Sequence, residues 1–289
     1  MIENNTTNAE YTTPYGKVYL DLDADIICLS LSSGFDSGLL LYMCAKACSD
    51  NQRKITIQPI TARRANATDF AWWDRVDNYA NAKEVVAWVK KCFPNVDIRD
   101  NILADAPLWN YCDPDDPIIG KVHTYIAAQG ILQRYVYSRA DTIQPNRRYT
   151  KRIITQNGVT KNPDFELSGF NPERARNNRD EEAAMPGYVT CCDDNEDKTA
   201  TRYEAFRNSD KRISFWIGDK LGILPTLLNV TRSCEGPRDL TDNWTQECHH
   251  CWWCYERVWA KETYLLPNAK PDTKYMTTSW FNSLRGPVL

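Results

Sequence analysis

Two short stretches carry residue types able to do chemistry. In "SSGFDSG", Ser32, Ser33, Gly34, Phe35, Asp36 and Ser37 lie between the apolar run "DIICLSL" and the helix-like "SGLLLYMCAKACS". Small residues let a backbone approach an anion, Gly34 tolerates conformations closed to other residues, and Ser32, Ser33 and Ser37 add hydroxyl donors. A helix starting just after such a loop contributes unpaired N–H groups and its positive dipole end. The chemistry expected here is phosphate binding. A plain strand-to-helix turn, capped by Ser or Asp, fits the same letters. The stretch has neither the Lys-Ser/Thr pair of a Walker A loop nor the three spaced glycines of a dinucleotide-binding turn.

The second stretch is "RSCEGPRDLTDNWTQECHHCWWCYERVWA", with Cys234, Cys248, Cys251 and Cys254. Two overlapping C-x-x-C steps after one distant cysteine can turn four thiolates onto one ion, the distant Cys234 closing the tetrahedron by folding its loop back. Zinc is the metal expected. An iron–sulfur cluster uses the same four thiolates, and His249 or His250 could replace a sulfur. Reduced cysteines beside a Trp-rich core helix are the bland alternative.

Taken together, the two stretches resemble a known family. "SSGFDSG" is similar to the Ser-Gly-Gly-x-Asp-Ser pyrophosphate loop of the PP-loop ATP pyrophosphatase superfamily, with Ser33 standing where that loop has its first Gly. With "DKRISFWIGDKLGIL", "NVTRSC" and "CHHCWWCYER", the chain resembles the 7-cyano-7-deazaguanine synthase family. Lys211 matches a helix lysine of that family. Thr231, Ser233 and Cys234 match the lead into its zinc site, and Arg257 matches the basic residue after its last cysteine. Two departures stand out. His249 replaces the glycine usual after the first knuckle cysteine, and the loop from Cys234 to Cys248 is longer than usual.

The resemblance implies an ATP-dependent ligase. A carboxylate, such as that of 7-carboxy-7-deazaguanine, attacks the α-phosphorus of ATP and pyrophosphate leaves into the loop. Ammonia then displaces AMP to give an amide, which a second adenylation can dehydrate to a nitrile. It implies Asp36, Ser37 and Lys211 as catalytic residues, Ser32 to Ser37 as the nucleotide loop, ATP, Mg²⁺ and Zn²⁺ as cofactors, and a deazapurine and ammonia as partners. Two other readings stand beside it. One is a tRNA-modifying PP-loop enzyme that adenylates a base; the other is a non-catalytic nucleotide-binding descendant. Asp36 and Ser37 are expected to face a solvent-filled loop, and an exposed helical Lys211 beside an acid is the bland reading of that lysine.

The elements that must position these residues show in the pattern. Residues 25–31, "KITIQPITA" and "NVDIRDNIL" read as strands. Residues 37–49, "NYANAKEVVAWVKKCF", "GKVHTYIAAQGILQRYVYSRA" and "SDKRISFWIGDKLGIL" read as helices, the last capped by Ser209 and ended by Gly222. Alternation of this kind predicts an α/β fold, doubly wound on a mainly parallel sheet, to which the four cysteines and the resemblance add a C-terminal zinc knuckle. Residues 1–23 read as an N-terminal extension and 24–289 as one PP-loop domain, with the knuckle at 234–254. From about 141 to 205 periodicity fails, and an irregular insertion is expected.

Composition bounds the rest. The 289 residues are 42% hydrophobic, enough for a core, and carry 35 Lys+Arg against 38 Asp+Glu, a formal net charge of −3. No global positive field draws nucleic acid, so stable nucleic-acid binding is not expected; the basic runs "RRYTKR" and "RARNNR" read first as solvated loop. The Trp pairs in "AWWDR" and "CWWC" read as packing. The polar start lacks a signal-peptide pattern and no run of about 20 apolar residues occurs, so a cytoplasmic protein with reduced cysteines and no membrane partner is expected. A homodimer is left open.

Overall fold

In a computed structural model of the chain, residues 2–5, 8–65, 76–107, 153–157, 188–189, 200–206, 209–234, 242, 245–249 and 252–269 are described. The strand, loop and helix around the serine stretch form as the pattern requires. Strand β4 (Ile26–Ser30) is almost wholly buried, and helix α1 (Phe35–Asp50) begins five residues after its end. Leu39, Leu40, Leu41, Met43, Cys44, Ala45, Ala47 and Cys48 are all buried, so α1 has apolar neighbours on most sides.

Around β4 runs a sheet in the order β6-β5-β4-β8-β10-β9, with β7 also paired to β5. Its members are β5 (Thr56–Ala65), β6 (Asp97–Ile98), β7 (Ile102–Pro107), β8 (Ile153–Asn157), β9 (Tyr188–Val189) and β10 (Ala200–Glu204). Every pairing is parallel except β9 on β10. Helix α2 (Val76–Cys92) separates β5 from β6; its Ala82, Val85, Val86 and Val89 join the core with α1. A mainly parallel α/β sheet is therefore present, as expected.

Three expectations need correction. "NVDIRDNIL" is not one strand but two, because the register on β5 slips by one residue between Ile57↔Ile98 and Ile60↔Ile102. Side chains fill the break: Gln58 Nε2 donates to Asp100 O at 2.9 Å, and Asn101 Nδ2 to Thr61 Oγ1 at 2.9 Å. The stretch 141–205 is not wholly irregular, since it supplies β8, β9 and β10, and β8 lies beside β4 in the sheet. Segments of five and two residues are too short to show a period among charged flanks. Ser209 does not cap the next helix, α3 (Arg212–Lys220). Its Oγ donates instead to Tyr15 O at 3.2 Å, and Lys211 occupies the cap position. Gly222, at φ +69°, does end α3, its N–H reaching Asp219 O at 2.9 Å. The helix expected at 120–140, both basic runs and "AWWDR" lie outside the described residues.

Residues 1–23, where the pattern yielded no element, contain an antiparallel meander of β1 (Ile2–Asn5), β2 (Asn8–Thr13) and β3 (Gly16–Asp21). Its Ala9, Tyr11, Val18 and Leu20 are buried in the same cluster as α1. The turn of the β2–β3 hairpin is clamped. Tyr15 Oη donates to Tyr264 O at 2.7 Å, just past helix α5 (Trp252–Thr263), and the Arg212 guanidinium lies 4.7 Å from the ring centroids of both Tyr15 and Trp259.

Burial sorts the cysteines in this layer. It pushes the Cys28 and Cys48 thiols up to about 12 and the Cys44 thiol well above its usual value, whereas Cys92 is exposed. Iodoacetamide at pH 8 should alkylate Cys92 in the native protein and leave Cys28, Cys44 and Cys48 unmodified until denaturant is added. Peptide mass spectrometry reads the difference.

Candidate anion loop and metal centre

The serine loop closes on itself first. Ser32 Oγ lies 3.2 Å from Ser37 Oγ, Gly34 N–H points to Ser32 Oγ at 3.4 Å, and Ser37 Oγ lies 3.1 Å from Gly34 O. Ser33 is fully buried with φ +62°, a left-handed conformation that costs a residue with a Cβ about 1 kcal/mol or more. Gly34 is the extended residue before α1, and no side chain of the loop caps the helix. The start of α1 brings the positive end of the helix dipole to this loop.

Asp36, in that first turn, does not face solvent. Its Oδ2 lies 2.7 Å from Lys211 Nζ, and Lys211 Nζ is 3.2 Å from Glu256 Oε2. The side chains are 12%, 2% and 0% exposed respectively. Ser37 is buried too. The exposed reading of Lys211 therefore fails, because its cation sits between two carboxylates at the junction of α1, α3 and α5. Glu256 was not singled out from the sequence. Its only local signal is its place in "CYER", one residue before the matched Arg257 and two after Cys254.

The cysteines gather beside this junction. Helix α4 (Leu224–Val230) delivers the chain to Thr231–Cys234, and α5 carries Cys254. The sulfurs of Cys234, Cys248 and Cys254 all lie within 4.8 Å of one another and all three residues are buried. Cys248 and Cys254 sulfurs are 4.0 Å apart, and Cys248 N–H reaches Cys234 Sγ at 3.2 Å. Four sulfurs about 2.3 Å from one ion stand roughly 3.8 Å apart. The set therefore fits a metal ion. Cys251 and His250 lie outside the described residues, and His249 is exposed, with φ +58°. Behind the cluster, Arg257 pairs with Glu247 and donates to Leu228 O at 2.9 Å.

The loop touches the segment that leads into the cluster. Phe35 N–H donates to Ser233 Oγ at 2.9 Å, and Arg232 N–H donates to Ser33 O at 2.8 Å. Phe35 stacks on Phe215 of α3, centroids 4.4 Å apart, and the Arg257 guanidinium is 5.9 Å from the Phe35 ring centroid. Thus residues 32–37, Lys211, Cys234, Cys248 and Cys254, read separately along the chain, form one neighbourhood.

No protein-family model matches the chain, and no curated protein matches it significantly. No helix among the described residues is long and apolar enough to cross a membrane.

Removing one member of a buried ion cluster strands the charge left behind, at a cost of about 3–5 kcal/mol. Lys211→Met should lower the unfolding free energy by about that much in urea titrations. Adding Asp36→Asn and Glu256→Gln to the same chain should recover at least half of the loss. A Lys211→Met chain as stable as wild type would contradict the burial of this cluster.

Proposed function

We propose that this chain is an ATP-dependent ligase of the PP-loop type, which adenylates a carboxylate with release of pyrophosphate and passes the acyl group to ammonia. The observation that carries the reading is the hydrogen bond from Phe35 N–H to Ser233 Oγ. It joins two motifs 198 residues apart that the resemblance to 7-cyano-7-deazaguanine synthases pairs as loop and zinc knuckle. Backbone conformation adds support. The two positions where that family pattern has glycine and this chain does not, Ser33 and His249, both adopt positive φ. Each departure therefore sits in a backbone conformation that glycine adopts without strain.

In this reading the substrate carboxylate oxygen attacks the α-phosphorus of Mg²⁺-bound ATP, and the bond to the bridging oxygen of pyrophosphate breaks. Loop amides and the Ser32 and Ser37 hydroxyls stabilise the charge that collects on the leaving group. Mg²⁺ enters with the nucleotide. Ammonia next adds to the acyl carbon and AMP departs with the carboxyl oxygen, leaving an amide and a released proton. A second ATP dehydrates the amide in the same manner. Asp36 and Lys211 act on the loop from behind. With its charge shared between two carboxylates, Lys211 holds the first turn of α1 in place in addition to offering a cation near the phosphates. A deazapurine acid is the substrate the resemblance favours.

Zn²⁺ held by Cys234, Cys248 and Cys254, with Cys251 as fourth ligand, serves folding in this reading, since four protein thiolates leave no open position. Elemental analysis of the purified chain should give about one zinc per chain. Cys254→Ser should lose most of the metal and melt at lower temperature. Iron with visible absorption would favour the base-adenylating alternative.

Catalysis is tested by incubating the chain with ATP, Mg²⁺, ammonium and 7-carboxy-7-deazaguanine. The expected products are AMP and pyrophosphate, and Ser37→Ala should slow them by about 100-fold, the scale for loss of one preorganised charge-stabilising group. Release of ADP, or of nothing from a chain that holds its metal, would sink the reading.

A further inference from the structure

The chain approaches the cysteine cluster through Thr231–Cys234 and leaves it through Cys254–Arg257, and both arms grip the serine loop. On the approaching arm, Arg232 N–H holds Ser33 O and Ser233 Oγ accepts the N–H of Phe35. Gly38 packs so close to this arm that a Cβ there would stand 2.7 Å from Thr231 Cγ2. On the leaving arm, Glu256 faces Lys211, which binds Asp36, and Arg257 lies over Phe35.

On the approaching arm, Ser233 is the link made by a side chain. It is buried, and it precedes Cys234 directly in the chain. Its hydroxyl takes the first amide of α1 and so fixes the first turn of that helix. An ion that pins the Cys234 sulfur restricts the backbone carrying Ser233, and through it the start of α1. Resting on the anion-loop reading above, we propose that Ser233 is a positioning residue that couples metal occupancy of the cysteine cluster to anion affinity at residues 32–37. Each ligand then tightens the other, because coupling between two binding equilibria is reciprocal.

The test uses the full chain loaded with zinc, an equilibrium competition against a zinc-chelating dye, and inorganic pyrophosphate as the anion. Pyrophosphate should tighten zinc retention by wild type about fivefold or more relative to a protein-free blank, the low end of ordinary coupling. Ser233→Ala, still holding one metal per chain, should show less than about a twofold gain at saturating pyrophosphate. Ser233→Thr, which keeps a hydroxyl, should restore it. Solution chelation by pyrophosphate is the same for every chain, and linkage through global folding alone would leave the gain intact in Ser233→Ala. An undiminished gain in that variant overturns the proposal. So does the absence of any gain in a wild type whose melting temperature pyrophosphate raises, a result that leaves the anion loop standing. A wild type whose melting pyrophosphate does not move removes the anion reading and the coupling with it. Should Ser233→Ala fail to fold, hydrogen exchange in wild type decides. Zinc added to the depleted chain must protect a peptide covering residues 30–40 more than one covering 8–20, and equal protection overturns the proposal.

Discussion

A buried ammonium must have carboxylates beside it, and in this protein that requirement holds three helices together. Lys211 stands at the N-terminal cap of α3, where the helix dipole opposes a cation, and its side chain is almost wholly enclosed. Asp36 and Glu256 compensate for both. Asp36 comes from the first turn of α1, where the dipole favours an acid, so one carboxylate satisfies its own helix and the neighbouring lysine together. Glu256 comes from α5, the helix that also carries Cys254. The start of α1, the start of α3 and the first half of α5 are thereby held at one point, and the serine loop and the cysteines inherit their spacing from it.

What could be read from the chain follows the range of the forces involved. Strand β4, the loop and α1 were legible because an apolar run, a cluster of small residues and a second apolar run are local signals. The cysteines were legible because ligand spacing is local as well. The Asp36–Lys211 pair spans 175 residues and the Phe35–Ser233 bond 198, and no local pattern announces either. Glu256 has no local signal beyond its place beside Arg257, and only the fold of α5 turns it toward Lys211. The N-terminal meander is hidden for a different reason. Ala9 and Tyr11 alternate with polar residues, Val18 and Leu20 flank Tyr19 between Lys17 and Asp21, and Pro14 and Gly16 mark the turn between the strands. That period-two pattern was present but sits in a polar composition that suggested an extension.

The hairpin turn and the end of α5 make a second junction on the far side of α3. Arg212 faces Tyr15 and Trp259, pairs with Asp210 at 2.8 Å and donates to Ala269 O at 3.0 Å. Consecutive residues thus serve different purposes. Lys211 faces the loop and the helix that carries Cys254, while Arg212 ties the first strands to the chain beyond that helix. Arginine suits the outer role, since its planar group can stack on rings while its N–H donors engage several acceptors, and a lysine there would keep only part of this.

The close approach of Gly38 to Thr231 has a consequence for how this sequence can drift. A Cβ at position 38 would meet the Thr231 methyl at 2.7 Å, while Leu227 and Val85 stand only 3.5 Å away on other sides. Position 38 cannot grow unless position 231 shrinks. The two sites are thus tied as a pair across evolutionary time: among diverging descendants, an alanine at 38 would be expected beside a serine or glycine at 231, and seldom beside threonine or valine.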